Sequence, residues 1–318
     1  MIIYSTDVQL SNDRCWICGY KKVTRSEMVL LPYLCSWCSR EQIVTLINDI
    51  ITDAEEHLNQ GELGRCEDID TLSFIADIGE LGIRHPYLNQ FSRILSTMAV
   101  QLALEHRYTF DKLLKVVDGG NVPTKMIRVY ECITFLRDVG LLEDGEGRYI
   151  YERYKPSSLL LDLTASVEVV DVEKGLPPRV AGCITGYAWL RGISATINWL
   201  KEGAKGGSKG IAKLYPRSED GKLLIPKLFT APTMYMLGYL ASGYNEFSED
   251  ELRAWLNPRG ISGNDANFIV NLLARVIPSN HRLINPFYDG HAYHFKFNIS
   301  YIRMRERYRE RRRGRSTT

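Results

Sequence analysis

Apolar positions recur along much of the chain at the three- and four-residue spacing of helices buried on one face. In "SREQIVTLINDIITDAEEHL", Ile43, Leu46, Ile47, Ile50, Ile51, Ala54 and Leu58 keep that spacing, and Ser39 with Gln42 has the form of a capping box. Residues 87–106 repeat the pattern through Phe91, Ile94, Leu95, Met98 and Leu102. A short helix is predicted after Thr109 in "TFDKLLKVVDGG", closed by Gly119 and Gly120. Pro123 leads into "TKMIRVYECITFLRDVGLL", whose core stripe is Val129, Cys132, Ile133 and Leu136. "EDGEGRYIYERY" then switches to period two, with Asp144-Gly145 as a tight turn before an aromatic strand.

The same order of elements returns near the C-terminus. "APTMYMLGYLASGY" precedes "SEDELRAWLNPRG", where Ser248 and Glu251 form another capping box. "SGNDANFIVNLLARVI" follows, with Phe268, Ile269, Leu272, Leu273 and Val276 as its expected core stripe. "HRLINPFYDGHAYHFKFNISYI" then supplies a hairpin around Asp289-Gly290, with Tyr293, Phe295 and Phe297 alternating toward the interior.

The pattern predicts a mainly α chain with small β-hairpins, divided into 1–60, 61–155, 156–227, 228–302 and 303–318. Residues 156–227 read as helical or mixed, then as a basic connector, "AKGGSKGIAKLYPRSEDGK", able to lie along a DNA backbone through Lys201, Lys205, Lys209 and Lys213. A phosphate-binding P-loop does not fit that connector: Ser208 stands where a glycine is needed, Gly210 replaces the Ser/Thr, and a helix precedes it.

Cysteine spacing adds chemistry at one place. In "CWICGYKKVTRSEMVLLPYLCSWCSRE", sixteen residues separate Cys18 from Cys35, so the pairs Cys15/Cys18 and Cys35/Cys38 fall in the range that converges on one tetrahedral ion. A structural zinc site is the favoured reading; a redox pair and disulfides are the alternatives. Neither pair opens a helix directly after a buried strand, and the opening "MIIYSTDVQL" lacks the basic and apolar stretches of an export signal. A cytoplasmic or nucleoid-associated chain is therefore expected. Four thiolates and a divalent ion carry −2, which Lys21, Lys22, Arg25 and a helix N-terminus can offset. The other cysteines, Cys66, Cys132 and Cys183, are expected to be buried small apolar groups.

A knuckle closed by Gly19, followed by a cysteine pair at a helix start, resembles a treble-clef zinc finger over about forty-five residues. The succession over 87–154, ending in "FLRDVGLLEDGEGRYIY", resembles a winged helix, and 228–302 resembles a second. Together they are similar to tandem winged-helix DNA-binding proteins, either archaeal-type regulators or replication-origin binders. The resemblance implies a sequence-preferring, non-enzymatic binder of double-stranded DNA. The alternative is a non-enzymatic subunit of a larger assembly, an RNA polymerase accessory or a nucleoprotein effector complex, using its winged helices for protein contacts. The DNA-binding reading also allows protein partners in a transcription or replication complex.

That geometry selects candidate readers. Thr124, Lys125, Arg128 and Glu131 are expected to turn outward on the first reading helix, with Lys125 and Arg128 meeting phosphate or guanine. Asn264, Asn267, Asn271 and Arg275 occupy the outer face of the second, and suit adenine and guanine edges. Arg148, Tyr288, His291 and Lys296 belong to the wings.

Charge is uneven. The chain carries +2, and residues 303–318 carry eight Arg and two Glu, which is +6 and leaves 1–302 at −4. Such a tail, with Arg311, Arg312 and Arg313, reads either as a solvated extension or as a phosphate-binding arm that continues as a helix.

Other classes are disfavoured. The richest apolar stretch, "CITGYAWLRGISATINWL", is broken by Arg191 and glycines, so no membrane span is expected. No nucleophile elbow or carboxylate metal motif is present, and His281, His291 and His294 are expected to hydrogen-bond or touch phosphate. "EDIDTLSFIADIGE" reads as a solvated amphipathic helix.

Overall fold

The computed structural model describes residues 13–30, 33–84, 86–146, 154–165, 176–201, 226–275 and 283–315. They are mostly helical, with two small antiparallel sheets. Among them, no helix is long and apolar enough to cross a membrane. Contacts divide the chain into two units. The first comprises the described residues within Met1–Asn48, Ile193–Pro278 and Ile284–Asn298. The second comprises those within Asp49–Gly192, Ser279–Leu283 and Ile299–Thr318.

The first unit holds the cysteine loop, with α1 (Arg25–Leu30) and the start of α2 (Glu41–Asn59). It continues with α9 (Pro226–Ser242), β3 (Glu246–Ser248), α10 (Glu249–Leu256), α11 (Gly263–Arg275), β4 (Ile284–Tyr288) and β5 (Tyr293–Phe297). The strands lie in the order β3-β5-β4, with Phe247 opposite Phe295 and Phe287 opposite His294. Period two along β5 buries Phe295 and Phe297, whose rings both meet that of Phe247. The Phe247 and Phe295 rings stack at 5.2 Å. The Ser248/Glu251 capping box is present in full and starts α10 immediately after its strand.

Two details in this unit differ from expectation. Helix α2 begins at Glu41, where the Arg40 carbonyl accepts from the amides of Ile43 and Val44, and the Ser39 hydroxyl donates to the Ser36 carbonyl. Ser39 thus belongs to the preceding turn. On α11 the buried stripe is Ala266, Ile269, Val270 and Leu273, and Phe268 is 38% exposed. Two overlapping apolar stripes were available, and packing selected the one with smaller side chains.

The second unit contains α3 (Asp70–Ile83), α4 (Pro86–Glu105), α5 (Phe110–Lys115), α6 (Val122–Asp138), β1 (Leu142–Asp144), β2 (Tyr154–Pro156) and α7 (Ser158–Ala165). Most of α8 (Pro178–Lys201) and α12 (Ile299–Arg315) complete it. The Asn121 side chain accepts from the Thr124 amide and caps α6. Val129, Cys132, Ile133 and Leu136 are buried, as their spacing predicts, and so are Cys66 and Cys183.

Helix α3 departs most from its sequence reading. Residues 71–79 are all buried, including Thr71, Ser73 and Asp77. Glycines explain the approach of α8: a Cβ on Gly186 would lie 2.0 Å from the Ile75 carbonyl oxygen, and one on Gly79 would lie 1.8 Å from that of Gly182. Helix α12 takes in residues 303–315 of the tail and buries Tyr301, Met304 and Tyr308, with Tyr301 edge-on to Phe74 at 5.4 Å.

Candidate metal centre and nucleic-acid interface

The cysteine loop is built from short local turns. Gly19 takes φ 75°, a left-handed conformation suited to glycine, and its amide donates to the Cys15 carbonyl. A bridge between Arg14 and Lys21 closes this first turn. The second pair sits just ahead of α2, where the Ser39 amide donates to the Cys35 carbonyl and the Cys38 amide approaches the Cys35 sulfur at 3.5 Å.

Cys15, Cys18, Cys35 and Cys38 are all buried, and their sulfurs lie within 4.8 Å of one another. The Cys18 and Cys35 sulfurs are 3.6 Å apart. That is far longer than a disulfide bond of about 2.05 Å. It matches the ~3.8 Å edge of a tetrahedron around an ion with metal–sulfur bonds of about 2.3 Å. Burial pushes the Cys15 and Cys38 thiols well above their ordinary value. The neighbouring thiols of Cys15, Cys18 and Cys38 hold Cys35 far below its own. Four sulfur donors thus converge on one point, and the set could hold a metal ion.

Two buried cations lie beside these sulfurs. Lys22 is 3% exposed, and burial holds its ammonium below the ordinary value against the pull of Cys15 and Cys35. Arg259 is 5% exposed and directs its Nε–H to the Cys18 sulfur at 3.3 Å. Four thiolates with a divalent ion would carry −2, and these two cations would balance it. Lys22 was a sequence-level candidate for this task; Lys21 and Arg25 are exposed. Arg259, more than two hundred residues downstream, was missed, because no local pattern marks a residue whose role depends on a distant loop.

The loop is anchored in the core of its unit. Trp37, between Cys35 and Cys38, stacks on Tyr235 with centroids 6.1 Å apart and donates its indole N–H to the Met234 carbonyl at 2.9 Å. Thr230 donates to the Ile17 carbonyl at 2.6 Å.

No family model, no curated protein and no solved structure matches this chain.

The sequence-derived readers fall on both units. On α11, Asn264, Asn267, Asn271 and Arg275 are exposed and share one face, with Phe268 in the middle of the row. Asn267 is oriented by Arg253, whose Nη2 donates to its side-chain oxygen at 2.8 Å. His291 is exposed in the hairpin turn, its amide held by the Asp289 carboxylate, and Lys296 is exposed on β5. His294 pairs with Asp289 at 2.9 Å and stacks on Phe287.

In the second unit, Lys125 is half-buried in the first turn of α6. Arg128 is also half-buried rather than turned outward: its Nη1 donates to the Gln90 side chain at 2.9 Å and to the Asp118 carbonyl at 3.0 Å. On α12, Arg311, Arg312 and Arg313 are all exposed, and Arg311 pairs with the buried Asp53 at 2.9 Å. Arg148, His281, Lys205, Lys209 and Lys213 lie outside the described residues.

Asp53 also accepts from Thr71 at 2.5 Å and from Tyr308 at 3.2 Å, with Arg307 at 3.4 Å. Asp77 accepts from Tyr301 and from Arg179, each at 2.5 Å. Both carboxylates therefore fasten α12 to the second unit. Two of the tail's cations, Arg307 and Arg311, thus lie at the surface against the buried Asp53.

Proposed function

We propose that the protein is a zinc-braced, sequence-preferring binder of double-stranded DNA, acting by recognition rather than catalysis, as a transcription regulator or replication-origin binder. The observation that carries the reading is the first unit's succession α9-β3-α10-α11-β4-β5 with strand order β3-β5-β4, an order that resembles a winged helix. In such a domain the second helix of the pair enters the major groove. The corresponding helix, α11, turns a face of three asparagines and an arginine to solvent. Asparagine amides suit adenine, the guanidinium suits guanine, and the exposed Phe268 ring suits a thymine methyl. Zinc is the ion because a buried set of four thiolates with no open position suits a structural site.

The deciding experiment selects binders from a random duplex pool with the metal-loaded chain at two salt concentrations. Enrichment of one motif, lost on Asn271→Ala with Arg275→Ala, is the expected result. Weak binding with no enriched motif refutes it. A second reading has its own support. Phe287, Tyr288 and Tyr244 are exposed aromatics, and residues 1–302 carry −4, which favours a protein partner in a larger assembly.

A further inference from the structure

We propose that Arg259 is a positioning residue that couples occupancy of the metal centre to the placement of α11. Helix α11 starts where the preceding turn puts it. That turn is the 3-10 segment Asn257–Arg259 followed by Gly260 at φ 67°. The Gly260 amide closes it on the Asn257 carbonyl at 2.8 Å, and the Ile261 amide reaches the Leu256 carbonyl at 3.3 Å.

The cysteine loop grips the turn at two adjacent residues. The Lys21 amide donates to the Pro258 carbonyl at 3.2 Å, and Arg259 Nε–H donates to the Cys18 sulfur at 3.3 Å. The same guanidinium lies over the Trp255 ring at 3.3 Å from its centroid, and its Nη1 donates to the Trp255 carbonyl on α10. It also lies 5.1 Å from the centre of the Tyr20 ring, inside the first knuckle. One buried side chain thus joins a metal ligand, the end of α10 and the turn into α11.

A bound ion holds the four sulfurs at one point, so the Cys18 sulfur stays within reach of Arg259. When the ion leaves, the Cys18 sulfur is no longer bound to the point it shares with the other three, and the firmest hold left on the turn is the Lys21 amide at the Pro258 carbonyl. The coupling itself is independent of what α11 recognises; its consequence for DNA rests on the reading proposed above.

The test uses the full chain, metal-loaded, without DNA. Amide hydrogen exchange is measured across 257–275 before and after chelation, and in metal-loaded Arg259→Met, which keeps the aliphatic stem and removes the donors. A charge-assisted bond lost from a buried site corresponds to about a tenfold or larger rise in exchange. That rise is expected over 257–275 on chelation in the wild type, and over the same residues in Arg259→Met with metal bound. Arg259→Lys, which keeps the charge without the Nε–H, is expected to behave as Arg259→Met does. The cobalt-loaded variants should also show a shifted thiolate-to-cobalt charge-transfer band, because a sulfur that loses an N–H donor becomes a stronger electron donor. Unchanged exchange over 257–275 in Arg259→Met overturns the proposal. So does a uniform rise that includes β3, β4 and β5, which would make Arg259 a general packing residue. Absence of DNA binding would remove the functional consequence and leave both readouts intact.

Discussion

Gly238→Ala tests how firmly the metal loop is built into its unit. Gly238 lies on α9, and a Cβ there would sit 2.2 Å from Trp37 Cζ2, 2.5 Å from Cε2 and 2.6 Å from Nε1. The indole has nowhere to go: it stacks on Tyr235, meets Trp255 edge-on at 5.7 Å, and is covered by the Arg40 guanidinium at 4.4 Å. Alanine in a helix gains about 1 kcal/mol over glycine. Overpacking a rigid contact costs about 1–3 kcal/mol, and loss of the indole bond to Met234 adds about 1 kcal/mol. The first unit should therefore lose about 1–3 kcal/mol net. Because Trp37 stands between two ligands, a chromogenic chelator should also strip the metal faster. Denaturant unfolding followed by tryptophan fluorescence, with chelator kinetics, reads both effects. Gly314→Ala is the control, since nothing lies within 4 Å of its Cβ position. Wild-type stability and wild-type metal release in Gly238→Ala would refute the reasoning.

The second unit should respond to acid in two opposing ways. Burial, the largest influence, pushes the Asp77 carboxyl up to about 6 against the lowering by Tyr301 and Arg179. The folded state then binds a proton that the unfolded chain, at about 3.9, has released. Stability from Asp77 therefore rises as pH falls through about 6 and levels off below about 4. Burial would also raise Asp53, but Thr71, Arg311 and Arg307 outweigh it and hold the carboxyl below its ordinary value. Its contribution is present above about pH 4 and is lost below it. Thermal melts of Asp77→Asn should lack the gain between about pH 6 and 4; an unaltered profile counts against the assignment. In the selected DNA site, replacing thymine by uracil opposite Phe268 should weaken wild-type binding by about 0.8 kcal/mol, the worth of one buried methyl, and leave Phe268→Ala unaffected; equal losses in both proteins would remove Phe268 from the reading face.

What the chain alone determined is local. Cysteine spacing brings four thiols to one point because tight turns hold each pair, and the second pair leads straight into α2. The Ser248/Glu251 box starts α10 by bonds that span three residues. The stripe of α6 needed only its own periodicity. Tertiary structure decided everything that depends on a distant partner. The apolar pattern of α11 allows two inward faces, and the sheet and neighbouring helices chose the one that leaves Phe268 outside. Helix α3 carries acids and hydroxyls that read as solvent-facing, yet Arg179, Tyr301 and Tyr308 satisfy them inside the unit. The Arg-rich tail reads as a solvated extension or a phosphate-binding arm, and only the fold shows Asp53 beneath Arg307 and Arg311. Arg259 has no local signature, because its worth lies in reaching a sulfur 241 residues away in sequence. Periodicity and spacing record what a segment buries; they do not record which segment it is buried against.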